Sequence, residues 1–260
     1  MLLISTLDGV YLYNGNLRQL CCKNIEVRDS VIFNDKLITC GKFGLRVEDK
    51  TIVDKDCWGI ELYENDVLAF LEGPILYSLN RGILLDLSEL ALEKDWYFPH
   101  GAPHFTSISK FKDKIIISVE EGNLLVGDSV STVKPIDYFE DVHNLYVYGK
   151  YLLIATANGI EATQDLKYFM KVAYGYSHGI TQCGSTLYAQ IMDRKPILSS
   201  RNGTFWDSLP IELEPPSFGT TNIACYDGKL YYSAENLYII EGKEAKKLYE
   251  IPYTLKIRNV

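Results

Sequence analysis

Histidine and acidic residues recur at matching distances before the apolar runs of this 260-residue chain. His143 and His178 each stand nine residues before a run, and His104 and Asp141 each stand eleven residues before theirs. Imidazole nitrogen and carboxylate oxygen together suit a divalent metal ion. One prediction is therefore a metal site made of His104, His143 and His178, with Asp141 as a fourth ligand or as a hydrogen-bond acceptor.

The same positions before other runs hold residues suited to a sugar or an anionic metabolite. Trp58 and Tyr176 would stack on a ring, and Arg28 would bind an anion. The acid and the base for proton transfer would come from Glu26, Asp56 or Asp141. A third interpretation needs no ligand, because polar residues are expected wherever strands begin at a solvated rim. The sequence leaves these three interpretations open.

One segment has the spelling of a nucleophile elbow without its context. Gly175-Tyr176-Ser177-His178-Gly179 fits G-x-S-x-G, but that motif requires a helix directly after the serine. An extended strand is predicted there instead, so we interpret Ser177 as a loop or strand-start residue. The sequence also lacks a Walker loop, an H-E-x-x-H motif, a calcium loop and a dinucleotide fingerprint. No catalytic residue is therefore assigned.

Seven similar units position these residues. Each unit contains an apolar run followed by small or polar residues, and the runs begin at Leu2, Leu37, Val67, Ile115, Leu152, Leu187 and Leu230. Intervals of a few tens of residues are typical of propeller blades. A hairpin-like segment precedes each later run and one or two short strands follow it, which gives about four strands per unit. We predict an all-β, seven-bladed β-propeller of four-stranded blades, forming a single domain over residues 1–260, with the candidate residues at the mouth of its central channel.

The two ends of the chain complement each other. The first unit begins with its second strand, and Tyr253 to Val260 form an alternating segment with no unit after it. We expect Thr254–Val260 to pair with the strand at Leu2–Thr6 and to close the ring of blades, which removes two exposed sheet edges. A short helical insertion is predicted between Leu85 and His100, beginning near Ser88. All-helical and βαβ folds are excluded, because no long segment has the 3.6-residue period.

A turn motif occurs twice between Asp141 and Leu209. The segment at residues 142–147 (VHNLYV) is followed by the apolar run at residues 152–163 (LLIATANGIEAT). A turn then begins at Thr163-Gln164-Asp165 and ends at Phe169. Ser199–Trp206 repeats the turn without its aspartate. These segments resemble the Asp-box (BNR) propellers, which include sialidases, sortilin-type receptor domains and photosystem assembly propellers. In that family the box is a structural turn remote from the active centre, so the resemblance implies architecture. It does not extend to the three substrate-binding arginines of sialidases, because only Arg28 begins an innermost strand.

Charge and hydropathy exclude several classes of partner. The formal charge is −8 and the isoelectric point is near 5.1, which gives no attraction to phosphate backbones or anionic lipids. No apolar stretch is long enough to cross a bilayer, and the first residues lack the features of a signal peptide. We therefore expect a cytoplasmic protein that binds neither nucleic acid nor membrane.

Six cysteines occur without any C-x-x-C pair, at positions 21, 22, 40, 57, 183 and 225. The absence of paired spacing excludes metal knuckles and thioredoxin-like motifs. We expect reduced, buried thiols, with disulfides only if the source is an extreme thermophile.

Aromatic residues suggest a binding surface. The chain has 19 tyrosines and 10 phenylalanines, and those at loop tips, such as Tyr97, Phe98 and Phe218, suit a partner-binding face. We predict a non-enzymatic scaffold that binds a protein partner, or a small molecule or sugar, at the top face of the channel. The alternative is a glycosidase-like or metal-dependent lyase-like enzyme acting on a carbohydrate or an anionic metabolite at the channel mouth. A divalent metal ion is the one cofactor considered.

Overall fold

A computed structural model describes residues 1–96, 101–120, 122–136, 138 and 140–260, and the strands within them form seven four-stranded antiparallel sheets. The first contains β1 (Leu2–Thr6), β2 (Gly9–Tyr13) and β3 (Leu17–Cys21), with the last strand of the chain, β28 (Thr254–Asn259), on the free side of β1. The second contains β4 (Asp29–Phe33), β5 (Lys36–Gly41), β6 (Gly44–Val47) and β7 (Lys50–Val53). The third contains β8 (Cys57–Tyr63), β9 (Asp66–Leu71), β10 (Ile75–Ser78) and β11 (Gly82–Asp86).

The remaining four sheets follow the same order. The fourth contains β12 (Phe105–Phe111), β13 (Lys114–Val119), β14 (Leu124–Gly127) and β15 (Lys134–Pro135). The fifth contains β16 (Val142–Tyr148), β17 (Tyr151–Thr156), β18 (Gly159–Thr163) and β19 (Phe169–Tyr174). The sixth contains β20 (Ser177–Cys183), β21 (Thr186–Ile191), β22 (Ile197–Ser200) and β23 (Asp207–Ser208). The seventh contains β24 (Ile223–Tyr226), β25 (Lys229–Ser233), β26 (Asn236–Glu241) and β27 (Glu244–Glu250). This is the predicted seven-bladed β-propeller.

The apolar runs of the sequence are the second strands of the seven sheets. Strands such as β1 and β9 are buried along their whole length, whereas outer strands such as β7 and β27 are largely exposed. A strand covered on both faces needs an unbroken apolar sequence, which explains why the runs stand out.

Glycines after the runs are required by close backbone approach. Gly44 and Gly159 have φ values of +88° and +140°. A Cβ atom at either position would lie 2.0 Å from a backbone oxygen, that of Val53 or Ala173 respectively. Any other residue would both adopt an unfavourable backbone conformation and clash with the next strand.

The first sheet joins the two ends of the chain as predicted. β28 pairs antiparallel with β1, with Leu2 opposite Asn259 and Thr6 opposite Thr254. Val260 N also donates to Met1 O at 2.9 Å. The pairing supplies the strand that the first repeat lacks, and it confirms the prediction that the last strand of the chain completes the first sheet.

Two compact units make up the chain: Met1–Val27 with Tyr148–Val260, and Arg28–Val147. We call them the terminal unit and the central unit. The prediction of one domain over residues 1–260 stays a prediction. The central unit contains the expected helical insertion, α1 (Ser88–Glu93). The interval that holds it also includes Tyr97, Phe98 and His100, which lie outside the described residues. No helix in the described part of the chain is long enough to cross a membrane.

The expectation of reduced thiols is wrong in this structure. All six cysteines form disulfides, namely Cys21–Cys22, Cys40–Cys57 and Cys183–Cys225. The last two each join strands of different sheets, with Cα atoms 5.3 Å apart in both bridges. Spacing along the chain did not reveal them, because the partners meet only when neighbouring sheets pack.

Buried tyrosines of the terminal unit make the fold sensitive to alkali. Burial, and then the neighbouring Tyr13, raises the pKa of Tyr231 to about 12. Burial and a hydrogen bond to Glu214 raise the pKa of Tyr238 to about 12 as well. An unfolded tyrosine ionises near pH 10, so these groups stabilise the fold fully below pH 10 and lose that contribution as the pH rises to about 12.

We therefore expect the free energy of unfolding to fall steeply between about pH 10 and pH 12. Phenolate absorbance as a function of pH, together with denaturant unfolding at each pH, measures both effects. Tyr231→Phe removes one of the titrating groups and should flatten the decline, whereas Tyr168→Phe at an exposed position should not. If the free energy of unfolding fell equally with pH in the wild type and in both variants, ionisation of Tyr231 would not be a cause of the sensitivity to alkali.

Candidate functional site

The candidate residues lie where the first strands of their sheets begin. Five of them directly precede a strand, namely Arg28 before β4, Asp56 before β8, His104 before β12, Asp141 before β16 and Tyr176 before β20. Trp58, His143 and His178 are the second residues of β8, β16 and β20. The repeat positions derived from the sequence therefore coincide in the third to sixth sheets, whereas Arg28 lies before its strand and not at its second residue.

These residues divide between the two units. The central unit holds Arg28, Asp56, Trp58, His104, Asp141 and His143, and the terminal unit holds Glu26, Tyr176 and His178. The expectation that His143 and His178 lie side by side joins residues of different units and stays a prediction. The expectation that such positions are solvated is wrong for two histidines, because His104 and His143 are only 3% and 2% exposed.

A stack of side chains runs through the central unit. Asp56 Oδ1 accepts a hydrogen bond from Arg28 Nη1 at 2.5 Å, and Arg28 Cζ lies 3.9 Å from the centroid of a Trp58 ring. His104 stacks on Trp58 with ring centroids 4.0 Å apart and planes inclined by 11°. Arg28 and His104 therefore both contact the indole of Trp58. An anionic ligand of Arg28 would have to compete with Asp56.

The stack ends at a carboxylate that sequence reasoning missed. His104 Nε2 donates to Glu120 Oε2 at 2.9 Å, and the Glu120 side chain is buried. The backbone brings the two residues together, because Glu120 N donates to His104 O at 3.0 Å. Glu72 N donates to Asp56 O in the same way at 2.9 Å. The signal was available in the hairpin register: in the third, fourth and sixth sheets the residue after the second strand donates to the residue before the first strand.

Glu120 also meets the next pair of candidates. His143 Nε2 lies 3.4 Å from Asp141 Oδ2. Glu120, Asp141 and His143 each offer one possible ligand atom, a carboxylate oxygen or an imidazole nitrogen, and these three atoms lie within 4.8 Å of one another. We call these three residues the carboxylate–histidine cluster. It combines the donor types of a divalent-metal site with a histidine, His104, that fixes one of the carboxylates.

The terminal unit has a separate aromatic group. Tyr176 and Phe218 meet edge to face with centroids 4.9 Å apart, and Gly219 N donates to Tyr176 Oη at 3.2 Å. The centroid of His178 lies 6.0 Å from that of Tyr176. Phe218 is exposed, as expected for a loop tip, and Glu26 of the same unit is half-buried.

Comparison with known proteins shows the fold and no family. No protein-family profile matches the sequence, and no curated protein is similar to it. Apo AztD from Citrobacter koseri superposes with a TM-score of 0.62 at 11% identity, over 99% of this chain and 96% of that one. A chain of a nidogen–laminin complex gives 0.57 at 12% identity, over 99% and 97%. BamB from Moraxella catarrhalis gives 0.55 at 10% identity, over 96% and 82%.

The fold is that of a β-propeller. Membership of the Asp-box family, which the sequence suggested, is not confirmed by these likenesses. Both box-like segments nevertheless form the same turn. In the first segment, the Thr163 hydroxyl accepts a hydrogen bond from Leu166 N, and Asp165 Oδ1 accepts from the backbone N–H groups of residues 167 and 168 at 2.9–3.0 Å. In the second segment, the Ser200 hydroxyl accepts from Gly203 N, and Asn202 Oδ1 accepts from the backbone N–H groups of residues 204 and 205 at 2.9–3.0 Å. Asn202 thus replaces the missing aspartate of the second box.

Ser177 has no features of a nucleophile. It begins β20, its side chain is fully buried, and its hydroxyl donates to Gln190 O at 2.9 Å. No helix follows it, so the elbow-like spelling corresponds to a strand start.

Proposed function

We propose that the protein is a non-enzymatic scaffold that binds a protein partner through its terminal unit. The observation that carries the proposal is the exposure of large aromatic side chains there. Tyr168, Tyr174, Phe205 and Phe218 are exposed by 81%, 79%, 78% and 70%. Aromatic residues are enriched in protein interfaces, and large exposed ones cost solubility unless a partner covers them.

The position of two of these tyrosines favours a protein partner. Tyr168 directly precedes β19 and Tyr174 ends it, and β19 is the outermost strand of its sheet. An edge strand offers backbone hydrogen bonds as well as side chains to an incoming chain.

A cavity beside Phe205 is a concave part of the surface of the terminal unit. Its volume is about 510 Å³, and Tyr188, Arg201, Asn202 and Phe205 are among the residues that line it. Tyrosine and arginine are residue types over-represented among those that contribute most to interface affinity. The cavity would accept a side chain of the partner, or the small ligand that the sequence left open.

The structural neighbours support this class of function. One of them is a chain in a nidogen–laminin complex, so a chain of similar fold occurs in a complex between proteins. The identity of 12% transfers the fold alone, and the partner of the present protein is to be found by experiment.

The proposal is tested by capture of partners from native extract on the immobilised full chain. Phe205→Ser with Phe218→Ser should weaken capture of a specific protein at least about tenfold, as expected for aromatic anchors. The matched control is Ile83→Ser with Leu92→Ser, which changes two exposed apolar residues of the central unit. Capture lost equally in both variants, or unaffected by the phenylalanine changes, would contradict the proposed surface. Turnover of an arylglycoside or uronide, lost on substituting the candidate site residues, would favour the enzymatic alternative.

The cytoplasmic location proposed from the sequence requires a cytoplasm in which disulfides persist. Disulfides persist in oxidising compartments, and in the cytoplasm mainly of hyperthermophiles. Three disulfides are therefore compatible with a cytoplasmic protein in a hyperthermophilic cell. Thiol trapping in freshly lysed source cells measures whether the cysteines are oxidised in place.

A further inference from the structure

The carboxylate–histidine cluster places two carboxylates together in a poorly hydrated part of the central unit. Glu120 and His143 are buried, and the Asp141 side chain is 19% exposed. No other group of three such side chains has ligand atoms this close among the described residues. Buried charges persist in proteins when they are paired or bind metal ions, because desolvating an uncompensated carboxylate costs several kcal/mol.

The charge of the cluster matches a divalent cation. Two carboxylates contribute −2, and a neutral imidazole supplies a nitrogen ligand without changing that sum. A bound divalent ion would leave the cluster neutral.

The separation of Asp141 and His143 is that of two ligands on one ion. A charge-assisted hydrogen bond between nitrogen and oxygen is about 2.7–2.9 Å long. The observed distance between His143 Nε2 and Asp141 Oδ2 is 3.4 Å. Two ligands bound tetrahedrally at about 2.1 Å from zinc lie about 3.4 Å apart. The backbone therefore already holds this pair at a ligand–ligand spacing.

Glu120 is held in place by groups that are not ligands. His104 donates to Glu120 Oε2 and stacks on Trp58, which Arg28 also contacts. Fixed outer partners of this kind orient metal-binding carboxylates and typically contribute 10–100-fold to affinity. His104 thus acts as a positioning residue.

We propose that Glu120, Asp141 and His143 bind one divalent transition-metal ion, with Zn²⁺ as the best match to one nitrogen and two oxygen ligands. Calcium and magnesium are poor matches, because they favour six or more oxygen ligands. The ligand set differs from the one predicted from the sequence, in which His104 and His178 were ligands. It is independent of the aromatic surface in the terminal unit.

Zinc titration of the full chain after chelator treatment tests the proposal. We expect one equivalent of Zn²⁺ per chain by calorimetry, and visible absorption of four-coordinate type when Co²⁺ replaces it. The near-isosteric changes Glu120→Gln and Asp141→Asn, and His143→Ala, should each weaken Zn²⁺ binding at least about 100-fold, because each removes a ligand. Circular dichroism on the same samples confirms that the variants fold.

Three further variants distinguish the roles. His178→Ala should bind Zn²⁺ like the wild type. His104→Ala should bind about 10–100-fold more weakly, and His104→Gln, which keeps an N–H donor for Glu120, should recover part of that loss. Failure of the wild-type protein to bind Zn²⁺ or Co²⁺ would overturn the proposal. Equal loss in His178→Ala and His143→Ala would overturn this ligand set.

Discussion

Removing Thr254–Val260 should abolish the cooperative unfolding of the protein. The deletion takes away β28 and exposes the whole edge of β1, which is buried along its length. Thr254 and Ile257 of β28 are almost completely buried. The free energy lost should exceed about 5 kcal/mol, which is comparable to the total stability of many domains. Thermal unfolding followed by circular dichroism measures the transition.

Contacts beyond the β1 pairing add to this loss. Thr221 N donates to Leu255 O and Ile257 N donates to Thr221 O, each at 2.9 Å. The hydroxyls of Ser233 and Thr254 are hydrogen-bonded at 2.7 Å in a buried position. Deletion leaves all of these groups without partners, which costs about 1–3 kcal/mol for each buried one.

Two controls make the deletion interpretable. Removing Val260 alone leaves every residue of β28 in place and should change the melting temperature little. A synthetic peptide of residues 254–260 added to the truncated chain should restore a cooperative transition, because the exposed edge of β1 is a template for strand addition. A truncated protein that melts like the complete one would show that closure by β28 does not stabilise the fold.

The architecture was predictable because it repeats. Each run had to be hydrophobic throughout, since the second strand of a blade is covered on both faces, and the runs at Leu2, Leu152 and Leu230 became β1, β17 and β25. Closure was predictable for a related reason: the first unit lacked one strand and the last segment had one to spare. Patterns of this kind are local, so a single sequence reveals them.

The candidate site was predictable only in part, because its members meet through pairing between strands. His104, Asp141 and His143 stood at recognisable repeat positions, whereas Glu120 stood directly after a run, at none of those positions. Its contact with His104 depends on the hairpin between β12 and β13. His104 is buried where it stacks against Trp58, a contact that no spacing in the sequence reports.

The contribution of a disulfide to the free energy of unfolding should include a part that grows with the length of chain that the bridge closes. Cys183–Cys225 spans 42 residues and Cys40–Cys57 spans 17. In the chain-entropy account, bridges of these lengths stabilise the fold by about 4 and about 3 kcal/mol. Replacing Cys183 and Cys225 together by alanine should therefore lower the free energy of unfolding by about 4 kcal/mol, and the melting temperature by roughly 10 °C.

The third bridge is the internal control for this prediction. Cys21–Cys22 joins adjacent residues, so it closes no loop and its removal should change stability by less than about 1 kcal/mol. Cys183 and Cys225 are half-buried, so their replacement creates little cavity, whereas Cys40 and Cys57 are fully buried and their loss adds a packing cost to the loop term. Denaturant unfolding of the three double-alanine variants, each without a reductant, measures how much free energy of unfolding each bridge contributes. If removal of Cys21–Cys22 destabilised the fold as much as removal of Cys183–Cys225, loop closure would not be the source of the stability, and local strain or packing around the sulfur atoms would have to explain it.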